Sequence, residues 1–430
     1  MPSNSRIKSV SAREVFSDRG HPGVEAKVVT EDGSCGTATA TAGLSVGKYE
    51  VQFAYDGGER WAGLGVQKAV ANVADIKAPA LKGLDAARQR EVDGVMIELD
   101  GTPNKTKLGG NATAAVSAAV LKAGAAGLGL PLYQHIGGVN ACILPVPCAG
   151  AFSGSGRYGG GPVGNSTGDK PSHSFVCYGF DSFSEASYAG WVVTREFRRV
   201  LHQRFKIGSV ESGYSGIAPG MVKHDRELWA VMAQAIADAG YEGRIGIQID
   251  VAAGTYYEEK REVFSGLFST EEMTKDELID VYKEMVKTYP VVILEDPLAE
   301  EDYEGHALLV RELGIEIVGD DLFTTNPERL RRGIAVGGAN CMLLKVNQVG
   351  TISEAFDAVE MAYRAGYGVM PCRSRGEGDA MADYVVGLGT AHTREGAIGP
   401  MANRFLEIEA ELGARAMFLG KEALKVRWPA

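Results

Sequence analysis

The sequence predicts an α/β protein, a β/α barrel capped by a small N-terminal α+β domain, on three observations. Asp250 closes the apolar run IGIQID, Glu295 lies in VVILED, Asp320 closes IEIVGD and Lys345 follows CMLL. These charges stand 45, 25 and 25 residues apart, with helix-like segments between them. A strand–helix series of that period closes into a barrel whose strand C-termini share one mouth. The third observation is a change of grammar along the chain. The first 135 or so residues place strands before helices, whereas alternation runs from Ile143 to about residue 415. We therefore expect two domains, residues 1–138 and 139–430.

Taken in order, residues 7–16, 24–30 and 34–41 read as short strands, with turns at 18–23 and 31–33. Helical periodicity follows at 65–78, 86–99 and 111–127, where NATAAVSAAVLKAGAAG permits close helix packing and Pro131 ends the pattern. The segment FSGSGRYGGGPVGNSTGDKPS, residues 152–172, is rich in Gly and Ser. A loop of that length in a compact domain is expected to be a lid or binding loop.

Composition narrows the function. The 430 residues are 45% hydrophobic, enough for a large core, and the net charge of −11 opposes nucleic-acid binding. No run of about 18 apolar residues predicts a membrane span, and the start lacks the apolar stretch of a signal peptide. Six cysteines are scattered without CxxC spacing, the pattern of reduced thiols in a cytoplasmic protein.

Asp250, Glu295 and Asp320 could each cap the helix that follows its strand. Three in succession at strand ends argue instead for a shared site. Carboxylates ~4 Å apart repel by roughly 4 kcal/mol per pair at an effective dielectric of 20, so a cation is expected among them. Oxygen donors without nearby Cys or His favour Mg²⁺ over Zn²⁺. Lys345 could be a solvated charge, but its apolar neighbours predict a buried stem. Burial and nearby dications would lower its pKa and suit it to act as a general base.

AREVFSDRGHPGVEAKV, GLSVGKYE, DGTPNKTKLGGNA, LPVP, ILEDPLAEED, GDDLFTTNP and LLKVNQVGTISEA, in that order, make nearly the whole chain resemble enolase. The resemblance implies an enolase-type β/α barrel, an N-terminal capping domain and a homodimer. It also implies two Mg²⁺ ions, one held by Asp250, Glu295 and Asp320, the other assisted by Ser45. The superfamily is itself the standing example of a Lys or His base paired with one or two Mg²⁺.

Departures concentrate on the family's other catalytic positions. Its D-E-G-G becomes Gly213-Tyr214-Ser215-Gly216, and its Q-E-F becomes His173-Ser174-Phe175. S-H-R-S-G becomes Cys372-Arg373-Ser374-Arg375-Gly376, the K-T-G-A lysine becomes Arg394, and Arg157 falls near the loop histidine of H-A-G-G. We expect Arg157, His173, Tyr214, Arg373, Ser374, Arg375 and Arg394 at the substrate, because arginine forks grip carboxylate or phosphate oxygens two at a time. Loss of the glutamates that assist hydroxide departure removes help typically worth about 10²–10⁴ in rate.

Among diverged enolases the combination most resembles the carboxyphosphonoenolpyruvate synthases of phosphinothricin-type antibiotic pathways, whose product carries one carboxylate more than phosphoenolpyruvate. Three alternatives stay open. One is phosphopyruvate hydratase, with Tyr214, His173 or Glu211 as acid. The others are an enolase-fold lyase for an unrelated phosphorylated acid and a non-catalytic scaffold.

Overall fold

The computed structural model describes residues 4–428 except 18–19, 44–45, 155–169, 207–214, 216 and 218–219. Strands β1 (Ile7–Phe16), β2 (Pro22–Thr30) and β3 (Cys35–Thr41) form an antiparallel meander, with one register shift in β1 between Ile7 and Ser9. Its inner face carries Val24, Ala26, Val28, Ala38 and Ala40, packed on helix α2 (Gly110–Gly127), against which α1 (Gln89–Asp100) lies in turn. Small residues make this packing close. A Cβ at Gly36 of β3 would run into the α2 backbone at Ala119 and Ala123. The expected helix at 65–78 is three linked helical segments, Gln67–Asn72, Val73–Lys77 and Ala78–Leu81.

The remainder builds an eight-stranded sheet from β4 (Val146–Ser153), β5 (Ser172–Cys177), β6 (Ile245–Asp250), β7 (Val291–Glu295), β8 (Glu316–Gly319), β9 (Cys341–Leu344), β10 (Gly368–Pro371) and β11 (His392–Gly396). The order is β10-β9-β8-β7-β6-β5-β4-β11. End strands β10 and β11 lie against each other, where Thr393 Oγ1 donates to the Pro371 carbonyl at 3.1 Å and nearly closes the barrel. Helices α3 (Phe183–Phe205), α4 (Arg226–Asp238), α5 (Lys275–Thr288), α6 (Tyr303–Leu313), α7 (Pro327–Val336), α8 (Ile352–Arg364), α9 (Ala380–Leu388) and α10 (Pro400–Leu412) follow or intervene. Helix starts are capped as their sequences require: Thr274 and Glu277 form a capping box on α5, and Asn326 caps α7 ahead of Pro327.

The barrel is not all parallel. Strand β5 runs antiparallel to both β4 and β6, so its first residue, Ser172, pairs with the last residue of β6, Asp250. The start of β5 therefore reaches the mouth where the ends of other strands do. Alternation then places residues 316, 318 and 320, or 341, 343 and 345, on one face of their strands, toward the barrel interior. Val318, Cys341, Leu343 and Met370 belong to that inner core.

The N-terminal unit docks on the mouth through polar contacts. The Val51 amide donates to the Gln348 carbonyl at 2.9 Å, Thr41 to the Arg375 carbonyl at 3.0 Å, and Lys105 pairs with Glu354 at 2.7 Å. No single described helix is long and apolar enough to cross a membrane.

Candidate active site

Parallel register sets Asp250 beside Glu295 at the ends of β6 and β7. Asp320 follows β8 directly and Lys345 follows β9, and all four are buried. Lys345 Nζ donates to Asp320 Oδ2 at 2.5 Å, and Gln348 Nε2 donates to the other oxygen at 2.7 Å. The structure thus brings the four predicted residues into one mouth. The oxygens of Glu295, Asp296 and Asp320 converge within 4.8 Å of one another. Asp296 was not singled out from the sequence, where it looks like part of the same acidic pair as Glu295. Its carboxylate accepts the amides of Asp320 at 3.0 Å and Asp321 at 2.8 Å.

This crowding has an electrostatic signature. Burial, then the neighbouring acids, hold the Asp296 carboxyl well above the ordinary range, and burial with Asp320 pushes Asp321 up to about 7. Excess negative charge at hard oxygen donors, with no Cys or His among them, fits Mg²⁺. Burial opposes the charged form of Lys345, but Asp320 outweighs it and holds the ammonium above its ordinary pKa. The expectation of a depressed lysine therefore rests on the bound dications. The expectation counted burial and dications, and it omitted the carboxylate on which the amine rests.

The expected substrate arginines fare differently. Arg394 Nε donates to Glu295 at 2.9 Å and Nη2 to Asp250 at 3.1 Å and to Ser172 at 2.8 Å. Its Nη1 reaches the Ser174 hydroxyl at 3.4 Å. Arg394 therefore lies across two acidic residues instead of projecting toward a ligand. Arg375 is buried in a two-pronged pair with Glu50 of the N-terminal unit, which makes it a clasp between the two halves of the chain. Both depart from the expected role for one physical reason: a buried guanidinium must be paired, and the nearest acids are the protein's own.

His173 also departs from expectation. It alternates with Ser172 and Ser174 along β5, so it faces outward, stacks on Phe152 at 4.0 Å between ring centroids and accepts from Trp229 Nε1 at 2.9 Å. Arg373 is half-buried beside Glu395, at 3.7 Å, and Ser374 accepts from Cys372 Sγ at 3.3 Å. Ser45, Arg157, Glu211 and Tyr214 lie outside the described residues. Lys170 pairs with Asp250, and Gln248 Nε2 donates to Glu295 at 3.2 Å. Sequence reading missed both. Lys170 was legible only with the reversed direction of β5, which brings it to the mouth two residues before Ser172.

A family model described as the enolase C-terminal TIM barrel domain matches residues 141–427, and one described as the enolase N-terminal domain matches residues 7–136. Proteins named Enolase are similar along the full length. That of Methanopyrus kandleri is 44% identical over 427 residues, covering 96% of this chain and 97% of its own. That of Pyrococcus furiosus is 42% identical over 434 residues, 98% of each, and that of Methanocaldococcus jannaschii 40% over 420 residues, 96% and 97%.

Proposed function

Since the chain belongs to the enolase family, we propose that it is a Mg²⁺-dependent lyase that forms an enolpyruvate from a small glycerate bearing a phosphoryl or phosphono group. The observation that carries this reading is Lys345 resting at 2.5 Å on Asp320 in the same buried mouth as Asp250, Glu295 and Asp296. An amine there removes the proton beside the substrate carboxylate, and the leaving group then departs from the adjacent carbon. Glu295, Asp296 and Asp320, with Asp250 beside them, would hold the ion, and Ser45 would assist a second. Bound Mg²⁺ supplies positive charge opposite the carboxylate as that group gains negative charge.

The chain's own residues do the rest. Asp320 and Gln348 orient the base, since one carboxylate oxygen accepts from Lys345 and the other from Gln348. Arg394 and Lys170 both pair with Asp250 and fix it in place.

Two substrates fall within this reading. Phosphopyruvate hydratase, acting on 2-phosphoglycerate, is supported by relatives named Enolase at 40–44% identity. Carboxyphosphonoenolpyruvate synthesis is supported by Ser174 and Arg394 at positions where the resemblance led us to expect a glutamate and a lysine. The arginine surplus gives that second reading less support than the sequence promised, because Arg375 and Arg394 already have acidic partners.

One assay separates them: Mg²⁺-dependent formation of the enolpyruvate double bond, followed by ultraviolet absorbance with each substrate in turn. Turnover of 2-phosphoglycerate in the usual range of about 1–10³ s⁻¹ selects the hydratase. Faster turnover of the carboxyphosphono analogue selects the synthase. Neither substrate exchanging its α-proton with deuterated solvent would sink the proposal and leave the lyase for an unrelated phosphorylated acid and the scaffold. A cytoplasmic homodimer belongs to the same proposal, and sedimentation as a monomer would remove the dimer from it.

A further inference from the structure

Residues 46–51 of the N-terminal unit strap the rim of the mouth and carry one carboxylate into it. Several anchors fix their course. The Val51 amide donates to the Gln348 carbonyl at 2.9 Å, and a Cβ at Gly47 would stand 3.0 Å from both Asp321 and Thr324. The Tyr49 ring lies on the Arg329 guanidinium, 3.8 Å from the ring centroid. Arg329 is itself pinned by the carbonyls of Leu322 at 2.9 Å and Glu300 at 2.8 Å. Glu50, set between Tyr49 and Val51, is 5% exposed.

Its two oxygens meet donors from both halves of the chain. Arg375 grips them with Nη1 and Nη2, the Gly47 amide donates to Oε1 at 3.0 Å, and Gln348 Nε2 reaches the same oxygen at 3.4 Å. Gln348 Nε2 also donates to Asp320 Oδ1 at 2.7 Å, while the Gln348 side-chain carbonyl accepts from Thr325 Oγ1 at 2.9 Å. One amide nitrogen thus touches Glu50 and Asp320 at once, and Lys345 rests on the other Asp320 oxygen. The Arg375 guanidinium is therefore one side chain's width from the carboxylate that orients the base. Its backbone is held on both sides: the amide donates to Glu377 at 3.1 Å, and the carbonyl accepts from Asn347 and from the Thr41 amide. What can move is the side chain.

We infer that Glu50 is a positioning residue: by engaging both prongs of Arg375 it keeps that guanidinium off Asp320, which is left to Lys345, Gln348 and the ion. The inference rests on the Mg²⁺ reading of the mouth. Its physical ground is that a buried guanidinium needs a counter-charge. With Glu50 neutralised, two carboxylates among the described residues are near enough to take its place. Asp320 already shares the Gln348 amide with Glu50. Glu377 has Oε2 on the Arg375 amide and Oε1 without a partner among the described residues. Burial pushes the Glu377 carboxyl up to about 7, so its charge is partial at neutral pH and Asp320 is the stronger draw. A guanidinium settled on Asp320 occupies an oxygen the ion uses and competes with the ammonium of Lys345. The N-terminal unit thus supplies the mouth with a guard as well as a cover.

Calorimetric titration of full-length proteins with Mg²⁺ tests this. Glu50→Gln is expected to bind Mg²⁺ at least about tenfold more weakly than wild type, and Glu50→Gln with Arg375→Met to recover to within about threefold of it. A merely structural pair would lower the melting temperature of the single variant and leave the Mg²⁺ affinity of the folded protein unmoved. Wild-type affinity in Glu50→Gln therefore overturns the inference, Arg375 having turned to Glu377 instead. A double variant as weak as the single one also overturns it, because the loss then does not run through Arg375. If Glu50→Gln fails to fold, Arg375→Met alone decides: affinity at or above wild type supports the inference, and a loss of about tenfold overturns it. The lyase reading fails separately, when wild type binds Mg²⁺ and exchanges no α-proton of either substrate. Wild type that binds no Mg²⁺ overturns both.

Discussion

The two ends of the barrel are built from the same strands and differ in almost everything else. Strand β8 starts at Glu316 and is followed by Asp320, β9 starts at Cys341 and is followed by Lys345, and β11 carries His392 two residues before Arg394. Even spacing keeps each pair on the inward face. At the mouth, hard oxygens meet ammonium and guanidinium groups beneath the N-terminal unit. At the base, carboxylate, thiol and imidazole meet one another with no Lys or Arg side chain paired to them, among the described residues. The lesson is that strand direction, and not residue type alone, sorts chemistry. The end that opens under the capping unit gathers charged side chains around the proposed site, while at the opposite end a buried carboxylate, thiol and imidazole turn to one another.

The largest effect that sharpens this contrast is expected at Lys345. Lys345→Ala should lower Mg²⁺-dependent α-proton exchange by about 10²–10⁴, with circular dichroism unchanged. Exchange at the wild-type rate would mean that the mouth does no proton chemistry through this amine. Next comes Arg394→Gln, which leaves Asp250 and Glu295 without their guanidinium. Removing one partner of a buried ion pair costs about 3–5 kcal/mol, so the melting temperature in EDTA should fall markedly. Excess Mg²⁺ should recover part of the loss. An equal fall with and without Mg²⁺ would show that Arg394 and the ion do not share these carboxylates.

A smaller effect is expected from Glu295→Gln, which should weaken Mg²⁺ binding by at least about tenfold in titration calorimetry with little change in folding. Unchanged affinity would take Glu295 out of the ion's shell.

The smallest effect compares two buried lysines. Lys345 has a carboxylate at 2.5 Å, whereas Lys77 in the N-terminal unit donates to the Thr113 hydroxyl at 2.9 Å. Burial, only partly offset by Asp100, lowers Lys77 to about 8. Below that pH both folded and unfolded chains are protonated and the folded state bears the full penalty. Between about 8 and the ordinary value of 10.5 the unfolded chain keeps a proton the folded one has shed, so stability rises with pH. Lys77→Met should therefore stabilise the protein at pH 7 by about 1–2 kcal/mol, after allowing for the lost hydrogen bond, with the gain vanishing above about pH 10.5. A gain that does not depend on pH in chemical denaturation would refute this account.

The mouth was largely legible because its residues break apolar runs. Asp250, Glu295, Asp320 and Lys345 are each the first charge after a buried stretch, and a strand cannot bury a charge without a use for it. The base was not. Glu316, Cys341 and His392 look like ordinary strand beginnings, and nothing in their local sequence says they meet. His173 was read toward the substrate because position alone does not reveal which face of β5 it takes. Arg375 and Arg394 were read toward a ligand because the acids that claim them, Glu50 and the pair at 250 and 295, are 99 to 325 residues away in the chain.

Sequence by itself determined the period of strands and helices, the capping unit ahead of the barrel, and the acids and amine at the strand ends. These are local matters of hydrophobic alternation and of where it is interrupted. Tertiary structure alone decided the antiparallel course of β5, the partners of the arginines, and the meeting at the barrel's base. Closure of the sheet brings strands far apart in the chain side by side, and only then does a buried charge choose among the counter-charges within reach.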